Sequence, residues 1–193
     1  PVLAAGRSYY INAIRGRDTH DGKSSKNAWR TFSPLLRTKP TGHVTVVLET
    51  PIHLAAPVML DGISELTIQS ASASSIAIHA GGMNAFVLSN CSKIVIRGLK
   101  VKGSGRLTSD GAGITVTNSK DVLLHQIEAS GFRNGGLVID GGADIRMDSC
   151  ISHSNGSAGI TSYQRLAKAW ASNVTLRDCT VHNNAGDPKN ESN

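Results

Sequence analysis

One pattern stands twice in residues 111–155, which read GAGITVTNSKDVLLHQIEASGFRNGGLVIDGGADIRMDSCISHSN. Each copy contains short runs in which apolar residues stand two positions apart, such as Ile114 and Val116 or Leu137 and Ile139. Glycine, serine, asparagine and aspartate separate these runs. Because successive side chains of a strand point to opposite faces, a spacing of two predicts β-strands with one buried side.

The same pattern extends to both sides with a period in the twenties. The first apolar residue of one strand recurs after 28, 28, 23 and 29 positions, at Leu66, Ile94, Val122, Ile145 and Val174. A second apolar residue follows two positions later each time, at Ile68, Ile96, Leu124, Met147 and Leu176. A repeat of this length is typical of solenoids, in which each coil stacks on the next to bury a shared core.

Two further strands recur in each coil. The inward pairs of the first strand are Val58/Leu60, Phe86/Leu88, Ile114/Val116, Leu137/Ile139 and Ile160/Ser162. Those of the third strand are Leu99/Val101, Ile127/Ala129, Cys150/Ser152 and Cys179/Val181. We therefore predict an all-β fold, a parallel β-helix with three short strands per coil. Helices are disfavoured by the 20 glycines. A β-sandwich also uses short alternating strands, but it has no reason to repeat a three-strand pattern at coil length.

The two ends of the chain differ from the repeats. We expect residues 1–43 to form an N-terminal strand and a cap, with a short helix whose apolar residues are Trp29, Phe32, Leu35 and Leu36. Residues 44–193 are expected to form the coils. The polar run Asn183–Asn193 stops in mid-coil, so we expect the β-helix to be incomplete there and to be completed by further coils or by a second chain.

The coils Gly111–Gly131 and Gly135–Asn155 resemble right-handed parallel β-helix proteins of the pectate-lyase-like superfamily. The opening YYINAIRGRDTHDGKSSKNAWRTF (Tyr9–Phe32) is similar to the N-terminal segment of many secreted bacterial members. The resemblance implies a secreted, cell-surface or periplasmic protein of bacterial type. It also implies a substrate groove on the first strand face and its flanking loops. Because the superfamily includes lyases, hydrolases, epimerases, tailspikes and adhesins, it implies the place of a site and not the roles of residues.

The net charge and the aromatic content indicate which class of partner to expect, and the cysteine positions indicate the state of the thiols. The net charge of +6 favours a polyanion, and we expect an acidic polysaccharide. Nucleic acid is not expected, because the basic residues are scattered and aromatic residues make up only 4%. No apolar run is long enough to suggest a membrane span. Cys150 and Cys179 occupy equivalent inward positions on neighbouring coils, and we expect a stacked, reduced pair, with a disulfide as the alternative.

Candidate site residues flank the first strand, whose outward positions carry the small side chains Val87, Thr115, Val138 and Thr161. For a polysaccharide lyase, the candidate bases are Arg133, Lys168 and Tyr163, and the candidate calcium ligands are Asp110 and Asp140. The candidate substrate-binding residues are Asn134, Arg165, Trp170 and Thr161. No organic cofactor is expected. The same two aspartates would serve a glycoside hydrolase if their carboxylates were suitably spaced.

Two other outward rows hold candidate chemistry. His153 and His182 fall at one position of the third strand with Asp187 nearby, which suits a transition metal or acid–base catalysis. Arg97, His125, Asp148 and Arg177 fall at one position of the bend after the second strand, where we expect a structural ladder of ion pairs.

The leading functional hypothesis is a lyase that cleaves a uronate-containing polysaccharide by β-elimination. A non-catalytic polysaccharide-binding, adhesive or structural β-helix is the main alternative. A glycoside hydrolase or a trimeric, phage-type depolymerase is a further one.

Overall fold

A computed structural model describes residues 6–39, 42–167 and 169–184 of the chain. One helix, α1 (Ser33–Arg37), and fourteen strands form in this part of the chain. The strands are β1 (Arg7–Ile11), β2 (Val44–Leu48), β3 (Ile52–His53), β4 (Val58–Asp61), β5 (Ser64–Ser70), β6 (Ile76–Gly81), β7 (Phe86–Ser89), β8 (Ser92–Gly103), β9 (Ile114–Ser130), β10 (Leu137–Asp148), β11 (Ile151–His153), β12 (Ile160–Tyr163), β13 (Ser172–Arg177) and β14 (Thr180–His182).

The strands wind into three parallel faces around one core, and β8, β9 and β10 each pass from one face to the next. The first face contains β4, β7, the starts of β9 and β10, and β12. The second face contains β1, β2, β5, the start of β8, the middle of β9, the end of β10, and β13. The third face contains β3, β6, the ends of β8 and β9, β11 and β14. The predicted parallel β-helix is therefore confirmed.

The register of the repeats is also confirmed. Leu66 pairs with Ile94, Ile94 with Val122, Val122 with Ile145, and Ile145 with Val174, which is the series expected from the sequence. Alternate residues point inward, and every member of this series except Val174 is fully buried. The apolar ladders thus form one continuous core along the axis of the stack.

The N-terminal segment caps one end of that core. Leu35 of α1 is buried, as expected. However, the helix is shorter than the apolar pattern suggested, because Pro34 occupies its first turn and Trp29 and Phe32 precede it. Trp29 instead forms a β-bridge with Ile11 and stacks on Tyr9 with ring centroids 5.0 Å apart. Trp29 and Phe32 therefore belong to the cap but not to its helix.

The corner between the second and third faces is a tight bend. From Ile96 to Leu99, Leu124 to Ile127, Met147 to Cys150 and Leu176 to Cys179, the inward residues on its two sides are three positions apart. One residue of each bend adopts a positive φ, namely Gly98, Gln126, Ser149 and Asp178. This left-handed residue turns the chain without interrupting the pairing on either side.

The coils from Val44 to Leu66 and from Val122 to Ile145 are short, with 22 and 23 residues, and each longer coil between Leu66 and Val174 contains one insertion. The first insertion lies at residues 71–75, at the corner between the second and third faces. The other two lie at residues 104–113 and 163–171, and both flank the first face. These two insertions carry the strongly exposed apolar side chains Leu107, Leu166 and Trp170. Two of the three insertions therefore lie beside the first face.

The row Arg97, His125, Asp148 and Arg177 is in register, as predicted. Its pairing differs from the expected ladder of ion pairs. Arg97 Nε donates to Gln69 Oε1 at 2.9 Å, and Asp148 forms its ion pair with Arg146, two residues earlier on the same strand. The reason is that residues two apart on a strand share a face, so Arg146 reaches Asp148 without crossing to another coil.

The cysteines are free thiols. Cys150 and Cys91 are buried, and Cys179 is half-buried. Burial raises the pKa of Cys150 to about 12, and Cys179 and Asp148 add to this shift. The expected stacked and reduced pair is therefore what the structure shows. Within the described residues, no helix has the length and apolar character needed to cross a membrane.

Candidate functional site

The floor of the candidate groove is the first face. Val87, Thr115, Val138 and Thr161 stand in register on neighbouring strands and point outward, as predicted. Val138 is covered, whereas Val87, Thr115 and Thr161 are half-exposed. Met59 extends the row and is 54% exposed. The floor is therefore small and largely apolar, so charged chemistry at this face must come from its two edges.

Three predicted residues meet at the leading edge, where the chain enters the first face. Arg133 forms an ion pair with Asp110, with Nη1 and Oδ1 3.4 Å apart. Asn134 Nδ2 donates to the backbone oxygen of Asp110 at 2.6 Å, and its backbone N–H donates to Gly111 O at 3.1 Å. These contacts join the loops of two coils. They hold a guanidinium, a carboxylate and an amide together at the surface.

At the trailing edge, Asp140 has a different role from the one predicted. Its carboxylate accepts hydrogen bonds from the backbone N–H groups of Arg165, Leu166 and Ala167, at 2.8, 2.8 and 3.2 Å. The residue is only 1% exposed. Because both oxygens are engaged and covered, Asp140 is a clamp for the insertion at residues 163–171. We correct the assignment of Asp140 as a calcium ligand, and with it the pair of catalytic carboxylates.

Tyr163 is at the end of β12, next to this clamp. Burial raises the pKa of its phenol, and the nearby Asp140 carboxylate raises it further, while Arg165 acts in the opposite direction. A tyrosine with a raised pKa keeps its proton at neutral pH. The structure therefore argues against Tyr163 as a base and makes it a hydrogen-bond donor.

The remaining residues of the trailing edge lie in the clamped insertion. Arg165 is exposed, Trp170 is 66% exposed, and Leu166 is 75% exposed. An exposed indole beside a shallow groove has the form of a stacking platform for a sugar ring. Lys168, predicted as a base, lies outside the described residues.

The predicted ring of site residues is split between two edges. Each strand of the first face is four residues long, for example β7 and β12. At roughly 3.3 Å per residue, the edges are about 13 Å apart. Arg133 and Tyr163 are therefore on opposite sides of the floor, and they do not act as neighbours on one glycosidic bond.

Calcium does not fit the predicted ligand pair. Asp140 has no free oxygen, and the exposed Asp110 already pairs with Arg133. Among the described residues, no group of three or more histidine, cysteine, aspartate or glutamate side chains is arranged to hold a metal ion. Calcium prefers six to eight oxygen ligands, which these two residues do not supply. We therefore derive no catalytic step through calcium.

The second predicted cluster lies on the third face. His153 and His182 stack with ring centroids 5.0 Å apart and planes 4° apart, so their predicted proximity is confirmed. Asp187 lies outside the described residues. A partner that sequence reasoning missed is Glu128, whose Oε1 is 3.6 Å from His153 Nε2 and whose Oε2 is 3.0 Å from Lys100 Nζ. Although burial opposes it, hydrogen bonds from Lys100 and His153 and the charge of Lys100 hold the pKa of Glu128 below its ordinary value.

Sequence reasoning also missed His53 and His79. They stack with ring centroids 4.4 Å apart, and they stand in the same row as His153 and His182. The available signal was that each of these four histidines directly follows an inward-facing residue, namely Ile52, Ile78, Ser152 or Val181. Extending the third strand backward by two coils would have aligned them.

Parallel strands in three registered faces, with insertions concentrated beside one of them, define a parallel β-helix. The chain belongs to the right-handed β-helix family, because the family model "Right handed beta helix region" matches residues 58–188, which is more than half of the chain. The predicted right-handed coil is thereby confirmed. No curated protein matches the sequence.

Solved structures similar to this chain include two described as lyases. One, described as a rhamnogalacturonan lyase, has a TM-score of 0.64 and 13% identity and covers 90% of this chain and 51% of its own. The chain thus spans about half the length of that lyase. The other, a crystal structure of pectate lyase Pel9A, has 12% identity, covers 92% of this chain and 63% of its own, and has a TM-score of 0.35, which is too low to support an argument. At such identities the first likeness shows the shared fold alone.

Proposed function

We propose that this protein is carbohydrate-active, holding an acidic, uronate-containing polysaccharide on its first face and cleaving it by β-elimination. The observation that carries this proposal is the cluster of Arg133, Asn134 and Asp110 at the leading edge. The similarity in fold to a rhamnogalacturonan lyase supports a polysaccharide as the substrate class. We also propose a secreted, cell-surface or periplasmic location, where such a substrate would be met.

The leading edge suits the recognition of a uronate. The guanidinium of Arg133 stays charged at any physiological pH and presents paired N–H donors that match a carboxylate. Asn134 Nδ2 fixes the neighbouring loop through Asp110 O, which holds the two coils in position. A uronate carboxylate can replace Asp110 at Arg133, because the Asp110 side chain is 90% exposed and an exposed ion pair is weak.

In β-elimination, a base removes the proton beside the uronate carboxylate, and a cation stabilises the enolate that develops. The bond from the β-carbon to the glycosidic oxygen then breaks as a C=C bond forms, and an acid or water protonates the leaving oxygen. We assign the cationic role to Arg133, since an arginine does not lose its proton in proteins. Tyr163, on the opposite edge of the floor, retains its proton and is suited to donating a hydrogen bond to a neighbouring sugar ring rather than to the ring held by Arg133. Lys168 stays the base that the sequence predicts, and this role requires its amine to reach the sugar ring held by Arg133.

The test is the absorbance near 235 nm of unsaturated products, measured on a panel of uronate polymers with and without Ca²⁺. We expect Arg133→Ala to lower kcat/KM about 100-fold, as for loss of one charge-stabilising group. We expect Lys168→Ala to remove activity. Arg177→Ala, an exposed arginine of the second face, is the matched control and should retain full activity. No absorbance change from folded protein on any uronate polymer would refute the elimination reaction.

A non-catalytic polysaccharide-binding module is the second candidate. It is favoured by the engagement of Asp140, which removes a predicted calcium ligand, and by the raised pKa of Tyr163, which argues against a predicted base. Binding of oligogalacturonate that depends on Arg133 and Trp170, together with a flat absorbance trace, would establish this alternative.

A further inference from the structure

The third face carries a straight row of histidine and lysine side chains. Neighbouring strands bring one outward position of six coils into register, and its residues are His53, His79, Lys102, Ser130, His153 and His182. With strands about 4.8 Å apart, the row is about 24 Å long. We call it the histidine row.

The charge of this face depends strongly on protonation of the histidines. The second outward row of the same face contains Ala77, Lys100, Glu128, Ile151 and Thr180. When the histidines are neutral, the net charge of these two rows is +1, which comes from Lys100, Lys102 and Glu128. With four protonated histidines it becomes +5. Glu128 is the only acid on these two rows.

The neighbours of each histidine favour uptake of an anion together with protons. His79 faces His53 on β3 and Lys102 on β8, and burial, His53 and Lys102 lower its pKa. His153 faces Glu128 on β9 and His182 on β14. Two stacked imidazoles repel each other when both are charged. A carboxylate bound over each pair would remove that repulsion and stabilise both protons.

A metal ion is a poorer occupant than an anion. The planes of the two stacked pairs differ by only 11° and 4°, so the lone pairs of each pair lie in two nearly parallel planes. They do not converge on one ion at the roughly 2.0–2.1 Å that a metal–imidazole bond requires. The described outward residues of this face also include no phenylalanine, tyrosine or tryptophan, so it lacks the stacking platform typical of single-stranded nucleic acid sites.

We propose that the histidine row is a second binding site, on the third face, which binds an extended anionic polysaccharide at acidic pH, when its histidines are protonated. A uronate chain carries one carboxylate per sugar ring, and one ring is similar in length to the step between neighbouring coils. The chain lies along the stack, with its carboxylates over the His53–His79 pair, Lys102 and the His153–His182 pair. The site is separate from the first face and does not require any catalytic activity.

The test is titration calorimetry of the full chain with an oligogalacturonate of about ten units at pH 5.5 and 7.5, where its carboxylates are ionised. We expect about tenfold tighter binding at pH 5.5, reduced by salt, with proton uptake visible as a dependence on buffer ionisation enthalpy. The variant H53Q/H79Q/H153Q/H182Q should lose this gain. The matched control H43Q/H125Q, with both changes off the third face, should keep it.

Two double variants, H53Q/H79Q and H153Q/H182Q, provide the same test if the quadruple variant folds poorly. Each should lose part of the increase in affinity at pH 5.5. Arg133→Ala separates the two faces. If Arg133→Ala abolishes all binding while the quadruple variant keeps the pH gain, the histidine-row proposal fails and the first-face proposal stands. Equal binding of neutral dextran, or a pH gain with single-stranded DNA but not with oligogalacturonate, would also overturn the histidine row as a polysaccharide site.

Discussion

Asn155 and Asn184 stack on successive coils, and the side-chain amide of Asn155 donates to Asn184 Oδ1 at 2.9 Å. Asn155 Oδ1 in turn accepts the backbone N–H of Phe132 at 3.0 Å, while Asn184 Nδ2 donates to Ser152 O at 3.0 Å. Asn155 is fully buried. This pair of amides joins three coils at the corner that leads into the first face, on which the loop of Arg133 rests.

Substituting Asn155 tests this network. Asn155→Ala leaves the N–H of Phe132 without its acceptor inside the protein, and we expect a loss of about 2–3 kcal/mol in the free energy of unfolding. Chemical denaturation measures the loss. Asn27→Ala removes an exposed asparagine of the cap whose φ is negative, and this control should cost less than about 0.5 kcal/mol. Similar losses in the two variants would contradict the network.

Asp140→Ala should release the insertion at residues 163–171. The change removes the acceptor for three backbone N–H groups, so we expect a loss of about 2 kcal/mol in stability. We also expect faster trypsin cleavage after Arg165, measured by limited proteolysis at native conditions. Asp110→Ala is the control, because its exposed ion pair with Arg133 contributes little. Unchanged cleavage in Asp140→Ala would refute the clamp.

The stability of the protein should depend on pH through His79. Burial, His53 and Lys102 lower the pKa of His79 in the folded protein, so the unfolded chain binds this proton at a higher pH. The contribution of His79 is therefore fully present above the ordinary histidine pKa of about 6.5 and is lost as pH falls through its lowered folded value.

We expect His79→Gln to be less sensitive than the parent protein to acidification below pH 6.5, as measured by denaturant unfolding across pH 4.5–8. Lys102→Gln should reduce the sensitivity in part, because it removes one cause of the shift. Lys120→Gln, an exposed lysine of β9, serves as the charge control. Parallel stability curves for His79→Gln and the parent protein would show that His79 is not responsible.

The thiols should react in a fixed order. Cys150 is buried, its pKa is raised to about 12, and its Sγ donates to Leu124 O at 3.4 Å. Burial also raises the pKa of Cys91. We expect a disulfide reagent at pH 8 to modify only Cys179 in the folded protein and all three thiols after unfolding. Cys179→Ser should remove the fast phase, and labelling of Cys150 at the same rate would contradict its burial.

The repeats were predictable because burial acts at every coil. In the series from Leu66 to Val174, every residue must be apolar because it points into the core, so the register could be predicted from the spacing of apolar residues alone. The contact between Arg133 and Asp110 was predictable only as a region, since loop conformation sets it. The engagement of Asp140 was not predictable, because its partners are backbone N–H groups, which no residue type marks. His53 and His79 were within reach of the same register argument.

The insertions are placed so that the residues of the core and the residues beside the groove belong to different segments of the chain. From Ile96 onward, the inward residues on the two sides of the bend between the second and third faces are always three positions apart. The segments at 104–113 and 163–171, in contrast, lengthen the chain on either side of the first face. The stacking of inward residues does not depend on the length of either segment. The ligand preference of the groove can therefore diversify by exchange of these two segments, and grafting either one from another right-handed β-helix would retune recognition while the scaffold stays unchanged.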